Sequence, residues 1–156
     1  MVKSLYLKVE GIMERETDEV IAIGAITMRF LVDGTTTDGH MAMAEMVVQP
    51  QAKVPPPHRH DDVDETIRVI EGALTYRVDD EVRVLQAGDH CFSPRGSVHH
   101  FSNQGDVPAR ALVVFSPASI GPAYFRDVAN VLGAGGPPDP HAFSAVMARH
   151  GIALAT

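Results

Sequence analysis

The stretch that decides the fold is His58-Arg59-His60-Asp61-Asp62-Val63-Asp64-Glu65, followed after a β-rich run by Gly72. In an extended chain, side chains at positions i and i+2 point to the same side, so the imidazoles of His58 and His60 lie on one face. Glu65 begins a predicted strand, and His99 lies on another predicted strand far along the chain. Three neutral imidazoles and one carboxylate form a mixed nitrogen and oxygen donor set that suits a divalent first-row metal.

The residues around this stretch predict an all-β domain. From Ile26 to Phe115, short β-rich runs alternate with turn residues, which predicts about eight strands at the spacing typical of a sandwich or barrel. No segment between residues 34 and 115 has a helical period, which argues against parallel βαβ units. The proline-rich residues 49–57 cannot form a helix or a central strand, so we expect an extended segment leading to His58.

The two ends of the chain differ from this β-rich part. We divide the chain into an N-terminal arm at residues 1–24, a barrel at 25–118 and a C-terminal helical tail at 119–156. Apolar residues at helical spacing predict one helix from Pro122 to Leu132. A second helix begins at Pro140, with Asp139 as its cap. We expect the tail to pack on the barrel, over an edge or one mouth.

Composition excludes some classes of partner. The chain has 156 residues, and its 13 basic and 20 acidic side chains give a formal net charge of −7. Nucleic acids and anionic membrane surfaces require a basic footprint, so we expect neither as a partner. The single cysteine, Cys91, excludes an internal disulfide bond, and the first eight residues lack the apolar run of a signal peptide. We therefore expect a cytoplasmic protein.

Two spaced patterns resemble the motifs of the cupins. The first is His58-x-His60-x4-Glu65-x6-Gly72, and the second is Gly88-x5-Pro94-x-Gly96-x2-His99-x3-Asn103. The resemblance runs from about Gly24 to the C-terminus and is to single-domain bacterial cupins of the quercetin 2,3-dioxygenase-like group. Two positions differ from that group: Ala52 replaces a common glycine, and Ile67-Arg68 replaces a frequent aromatic pair.

This resemblance implies a fold and a metal site. The fold is a double-stranded β-helix, a small jelly-roll barrel. The family's metal ligands fall on His58, His60, Glu65 and His99. They imply one divalent transition metal per chain, which could be Mn, Fe, Ni, Co, Cu or Zn. Glu65 is also the candidate catalytic residue, acting as a proton acceptor.

Other reactive side chains have simpler interpretations. His100 follows His99 and points to the opposite face of its strand, so we expect a structural or surface role. For His90, a hydrogen-bonded histidine inside the barrel is favoured over a fifth ligand, and Cys91 is interpreted as a small buried apolar residue. Glu45 and Arg29 are expected to point outward. The methionines are interpreted as barrel core or dimer interface rather than a ligand pocket; they are Met41, Met43 and Met46.

Three functions fit this site. The first is a dioxygenase acting on a small oxygenated substrate, such as an enediol, flavonol or diketone, chelated to the metal. The second is a metal-dependent isomerase, lyase or decarboxylase, and the third is a binding protein without turnover. The fold alone does not decide among them. We also expect a homodimer, in which the N-terminal arm pairs across a two-fold axis.

Overall fold

A computed structural model describes residues 6–9, 12–15, 19–133 and 135–155, the first two segments as backbone strands. The described residues form thirteen strands, with two helices before the last strand. The strands are β1 (Tyr6–Val9), β2 (Ile12–Arg15), β3 (Val20–Ile23), β4 (Ile26–Val32), β5 (Ala42–Val48), β6 (His58–His60), β7 (Asp64–Glu71), β8 (Ala73–Val78), β9 (Glu81–Gln86), β10 (His90–Ser93), β11 (His99–Ser102), β12 (Ala109–Ser116) and β13 (Ile152–Leu154). The helices are α1 (Pro122–Leu132) and α2 (Pro140–Arg149).

Two antiparallel sheets form the barrel. One has six strands in the order β10-β7-β12-β5-β4-β3, and the other has five in the order β13-β6-β11-β8-β9. Strands β5 and β12 alternate strictly between buried and half-buried residues along most of their length. Their inward side chains form the core between the sheets, as the period of two requires. This arrangement confirms the predicted all-β cupin fold with two C-terminal helices.

Two residues of the sequence motifs hold the turns that shape the barrel. Gly72 has a φ of +71°, and a Cβ there would lie 2.6 Å from the carbonyl oxygen of Pro108. Glycine is therefore required between β7 and β8. The amide nitrogen of Asn103 donates to the carbonyl oxygens of Val48 (2.9 Å) and Val107 (2.8 Å). It thereby joins the end of β11 to β5 and to the approach of β12.

The ends of the chain extend the sheets. Strand β3 pairs with β4, so the six-stranded sheet includes the last residues of the predicted arm. Helix α2 begins as predicted, with the backbone N–H of His141 donating to the Asp139 carboxylate at 2.9 Å. Strand β13, which pairs with β6, was not predicted from the sequence. In the part of the chain that the structure describes, no helix is long and apolar enough to cross a membrane.

Candidate metal centre

Three buried histidines from the five-stranded sheet meet inside the barrel. His58 and His60 alternate with exposed Arg59 on β6, and His99 lies opposite His58 on the neighbouring strand β11. Their ring centroids are 4.6 to 5.3 Å apart. One ring nitrogen from each lies within 4.8 Å of the other two. This spacing is that of a group which could hold one metal ion.

Glu65 reaches the same point from the six-stranded sheet. It is a buried residue of β7, and its Oε2 lies 3.3 Å from His99 Nε2 and 3.7 Å from His60 Nδ1. The structure thus brings together all four residues predicted as ligands. The cluster bridges the two sheets of the barrel, so its geometry is fixed by both.

Backbone groups orient the imidazoles. His58 Nδ1 donates to the carbonyl oxygen of Pro56 at 2.8 Å, which leaves its Nε2 as the acceptor nitrogen. The N–H of Gly96 donates to the carbonyl oxygen of His60 at 2.7 Å, so the second motif's turn holds β6 in place. The same turn is tied to β7, because Arg95 binds the Asp64 carboxylate through Nη2 at 2.9 Å. Both motifs therefore support one site.

Two nitrogens of the cluster make no hydrogen bond. His60 Nδ1 and His99 Nε2 are fully buried, and among the described residues neither makes a contact with hydrogen-bond geometry, although both face Glu65 Oε2, at 3.7 and 3.3 Å. A buried polar atom without a partner costs about 1–3 kcal/mol. Imidazole nitrogens beside a carboxylate are the donor set that divalent Zn, Fe, Mn, Co, Ni or Cu accepts. The residues present therefore fit a transition-metal ion.

The charges of the cluster are set by burial and by mutual contact. Burial lowers the pKa of His60 to about 4 and also lowers that of His58. Burial acts in the same direction on His99, but the nearby Glu65 carboxylate outweighs it and raises the His99 pKa. Burial opposes the charge of Glu65, yet the three imidazoles hold the pKa of Glu65 down at about 2. At neutral pH, Glu65 is a carboxylate, and His58 and His60 are neutral.

A buried tyrosine, Tyr76, lies behind the cluster and was not predicted from the sequence. The Tyr76 hydroxyl donates to Glu65 Oε1 over a long 3.4 Å and lies 3.1 Å from Ser93 Oγ. Burial, followed by the negative charge of Glu65, raises the Tyr76 pKa well above its usual value, so the hydroxyl keeps its proton. The alternation of β8 could have placed Tyr76 inward beside Leu74, but only once the inward face of that strand was known.

A cavity of about 60 Å³ adjoins the cluster, and we call it the metal cavity. Its walls are otherwise apolar apart from the Tyr124 hydroxyl, and α1 covers one side with Tyr124, Phe125 and Val128. Met46 belongs to the barrel core but also lines the metal cavity, so the ligand-pocket interpretation set aside above applies to Met46, whereas Met41 and Met43 are half-buried. No lysine or arginine is among the described residues that line it. The metal cavity is a small, apolar space with its polar groups concentrated at the cluster.

The remaining candidates lie away from the cluster. His100 is half-buried on the opposite face of β11, as expected, but His90 is exposed at the end of β10 and not inside the barrel. His90 is exposed because it lies on the outward face of β10 with exposed Phe92, whereas Ser93 of the same strand is buried. Cys91 is half-buried rather than buried, and burial raises its thiol pKa. Arg29 and Glu45 pair with each other at 3.2 Å, on half-buried positions that alternate with the core.

Comparisons with known proteins agree with this geometry. Residues 44–115 match the family model of the Cupin domain. Germin-like protein 9-3 of Oryza sativa subsp. japonica is 30% identical over 101 residues, covering 62% of this chain and 47% of that protein. Tetracenomycin polyketide synthase protein TcmJ of Streptomyces glaucescens is 38% identical over 60 residues, covering 38% and 40%. The chain thus spans about half or less of the length of these curated relatives.

Solved structures give the same fold. A sugar phosphate isomerase of the cupin superfamily from Silicibacter pomeroyi is 29% identical, with a TM-score of 0.52 over 59% of each chain. A predicted oxalate decarboxylase from Thermotoga maritima has a TM-score of 0.58 over 65% of this chain and 92% of that one. Its 22% identity supports the fold alone. The narrower resemblance to the quercetin 2,3-dioxygenase-like group stays a prediction. Residues 44–115 of this chain therefore match the Cupin domain, and this stretch carries the buried three-histidine cluster.

Proposed function

We propose that this protein is a metal-dependent enzyme, a dioxygenase acting on a small substrate that binds the metal through adjacent oxygen atoms. One observation carries the proposal: three histidines and a glutamate converge in a buried, apolar cavity of about 60 Å³. Such a space excludes bulk water and strengthens electrostatic effects on a bound substrate. It also suits dioxygen, which is small and apolar.

The chain's own residues have separate roles in this proposal. His58, His60, His99 and Glu65 hold the ion. When bound, the ion supplies Lewis acidity, which lowers the pKa of a coordinated hydroxyl group, and redox-active ions also react with dioxygen. Glu65 is a carboxylate at neutral pH, and we assign it the role of accepting the proton that the substrate loses; because its pKa is only about 2, it could do so only from a hydroxyl group that the ion has made acidic. Tyr76 holds the other carboxylate oxygen of Glu65 in place.

The walls of the metal cavity favour a neutral substrate. Its described lining residues include no lysine or arginine, so a phosphate or a second carboxylate would lose its water without gaining a cationic partner. This argues against the sugar phosphate named for the isomerase structure above. A volume of about 60 Å³ corresponds to about two water molecules. An enediol or diketone group fits this space, whereas a flavonol would require α1 to move.

Metal analysis followed by oxygen uptake on the same sample tests the proposal. Purified protein should contain one transition metal per chain, and a panel of enediols, hydroxyketones and diketones should cause substrate-dependent oxygen consumption. Stoichiometric metal and turnover without oxygen uptake would replace the dioxygenase with an isomerase, lyase or decarboxylase. Metal without turnover of any chelating substrate would favour a binding protein. Failure to bind metal after reconstitution would contradict all the metal-dependent functions.

The assembly is a further part of the proposal. We propose a cytoplasmic homodimer that uses the N-terminal arm. Strand β3 is an edge of the six-stranded sheet and exposes 59% of Val20, while β1 and β2 pair with each other in a separate sheet. An exposed edge strand is a ready surface for pairing with another chain. Light scattering at micromolar concentration should give the mass of a dimer, and a monomer mass would contradict the proposal.

A further inference from the structure

A second apolar cavity adjoins the metal cavity, and we call it the helix groove. It has a volume of about 640 Å³, roughly ten times that of the metal cavity. Three segments form its walls: residues 22–26 at the β3–β4 turn, residues 53–56 before β6, and the facing parts of α1 and α2. Its one charged lining residue among those described is Lys53, which is exposed.

The helix groove and the metal cavity share walls. Four side chains line both: Ile23, Ile26, Pro55 and Val128. Pro55 also belongs to the segment that leads into the cluster, because the carbonyl oxygen of Pro56 accepts the hydrogen bond from His58. The two spaces are therefore separated by no more than one layer of side chains.

Apolar side chains in the helix groove are incompletely covered by the described chain. Leu132 of α1, Phe143 of α2 and Val54 of the proline-rich segment are half-buried, although each packs against the core. Covering such surface with an apolar ligand gains about 25 cal/mol per Å². The helix groove is the larger, apolar space, and it lies directly beside the small metal cavity, which contains the polar groups. This arrangement suits an elongated ligand with one polar end.

We propose that the substrate is an amphiphile: its two adjacent oxygen atoms occupy the metal cavity, and its unbranched alkyl tail extends past Ile23 and Val128 into the helix groove. This inference rests on the proposed function for the oxygen-bearing end. It explains how a metal cavity of about 60 Å³ serves a substrate larger than a few atoms. In this proposal, the helix groove binds a small apolar chain and not a protein segment.

Alkyl hydroxamic acids of increasing length provide the test, because each carries the same two-oxygen chelating group. Titration into cobalt(II)-loaded protein gives two readouts, the d–d absorption of the metal and the dissociation constant. The spectrum should change with acetohydroxamic acid, which has almost no tail. The dissociation constant should then fall about fourfold for each methylene that enters the groove, up to the groove's length.

Two substitutions block the helix groove without touching the cluster, and one matched substitution does not. Ala129 of α1 and exposed Ala22 of β3 line the groove but not the metal cavity. Ala129→Phe and Ala22→Phe should abolish the chain-length dependence while keeping the response to acetohydroxamic acid. Ala123→Phe, on an exposed position of the same helix, should behave like the unmodified protein. Circular dichroism and thermal unfolding identify any variant that fails to fold, and the second blocking variant then decides.

The outcomes separate this inference from the proposed function. A spectral response to acetohydroxamic acid without chain-length dependence would overturn the tail site and leave the metal function standing. Chain-length dependence that persists in both folded blocking variants would place the tail elsewhere and overturn the inference. Equal dependence in metal-free protein would separate the tail from the metal and overturn it as well. If cobalt failed to bind, the proposed function would fail and the inference with it.

Discussion

The metal cavity and the cavity at the opposite barrel edge differ in size and in chemistry. The edge cavity, between β8, β9 and β10, has a volume of about 620 Å³ and is lined by Asp79, Glu81, Arg83, His90 and Cys91, among others. The metal cavity is roughly ten times smaller. Yet the smaller one contains two of the three buried side-chain nitrogens that lack a hydrogen-bond partner among the described residues, whereas His90 at the edge is exposed. The candidate site is therefore identified by its buried imidazole nitrogens, which require a partner. It is not identified by the volume of the cavity or by the number of titratable residues that line it.

The largest effect is expected when one of the three histidines of the cluster is replaced. His99→Ala removes a nitrogen donor from the cluster, and His100→Ala removes the adjacent imidazole on the other face of β11. Structural zinc sites bind with about 10–16 kcal/mol, or roughly 3 kcal/mol for each of four ligands. We therefore expect His99→Ala to weaken metal binding about 100- to 1,000-fold, measured by competition with a chelator of known affinity.

The matched control makes this prediction specific. His100→Ala should bind metal like the unmodified protein, because His100 points away from the cluster. Both variants should stay folded by circular dichroism, since the barrel core does not depend on one ion. Equal loss of metal in the two variants, or unfolding of the metal-free barrel, would contradict the account.

The pH dependence of metal binding distinguishes His99 from the other two histidines of the cluster. His99 has a raised pKa, whereas the pKa values of His58 and His60 are lowered, that of His60 to about 4. Where the pH lies below the His99 pKa but above those of His58 and His60, a metal ion must therefore displace about one proton, from His99, rather than three. Affinity should fall about tenfold for each unit that the pH drops below the His99 pKa, or about a hundredfold over two units. It should level off above that pKa.

Calorimetry in buffers of different ionisation enthalpy measures the protons released on metal binding. A value near one below the His99 pKa, falling as the pH rises through that pKa, agrees with the account. Release of three protons would show that all the imidazoles are charged in the metal-free protein. Release of none would show that the carboxylate does not raise the His99 pKa.

A smaller effect is expected at Tyr76, which lines the edge cavity and contacts Glu65. Tyr76→Phe removes the hydroxyl that holds Glu65 Oε1. Loss of an outer hydrogen bond to a metal ligand typically costs 10- to 100-fold in affinity or activity, and the long 3.4 Å contact places the expected loss near tenfold. Cobalt(II) titration should show weaker binding and an altered d–d spectrum.

Cys91→Ser is the control for that experiment, because Cys91 lines the same edge cavity without contacting the cluster. It should leave cobalt affinity and the d–d spectrum unchanged. If Cys91→Ser lowered affinity as much as Tyr76→Phe, general disturbance of the edge would explain both losses. The proposed support of Glu65 by Tyr76 would then be wrong.

Local spacing predicts much of this architecture. Eight of the strands, β4, β5 and β7 to β12, and both helices follow from alternation, turn residues and caps, because those signals lie within a few residues of each other. The four cluster residues are predicted by the two motifs. The first motif also includes Gly72, the glycine that the turn between β7 and β8 requires. Strand β13 was missed because three residues carry too little alternation to distinguish a strand from an extended terminus.

Contacts between distant elements could not be predicted in the same way. Tyr76 is recognised behind Glu65 only once the inward face of β8 is known. Tyr124 and Phe125 line the metal cavity because α1 covers it, and helical periodicity gives the apolar face of α1 without saying where that face docks. The exposure of His90 could not be predicted for the same reason, since the sequence does not show which residues of β10 point outward.

Anomalous diffraction from crystals of the reconstituted protein, recorded at the absorption edge of the bound metal, tests the central claim most directly. The account predicts one peak per chain between His58, His60, His99 and Glu65, with donor atoms at about 2.0–2.2 Å from the ion. A peak at His90 and Cys91 in the edge cavity, with none at the three-histidine cluster, would contradict it.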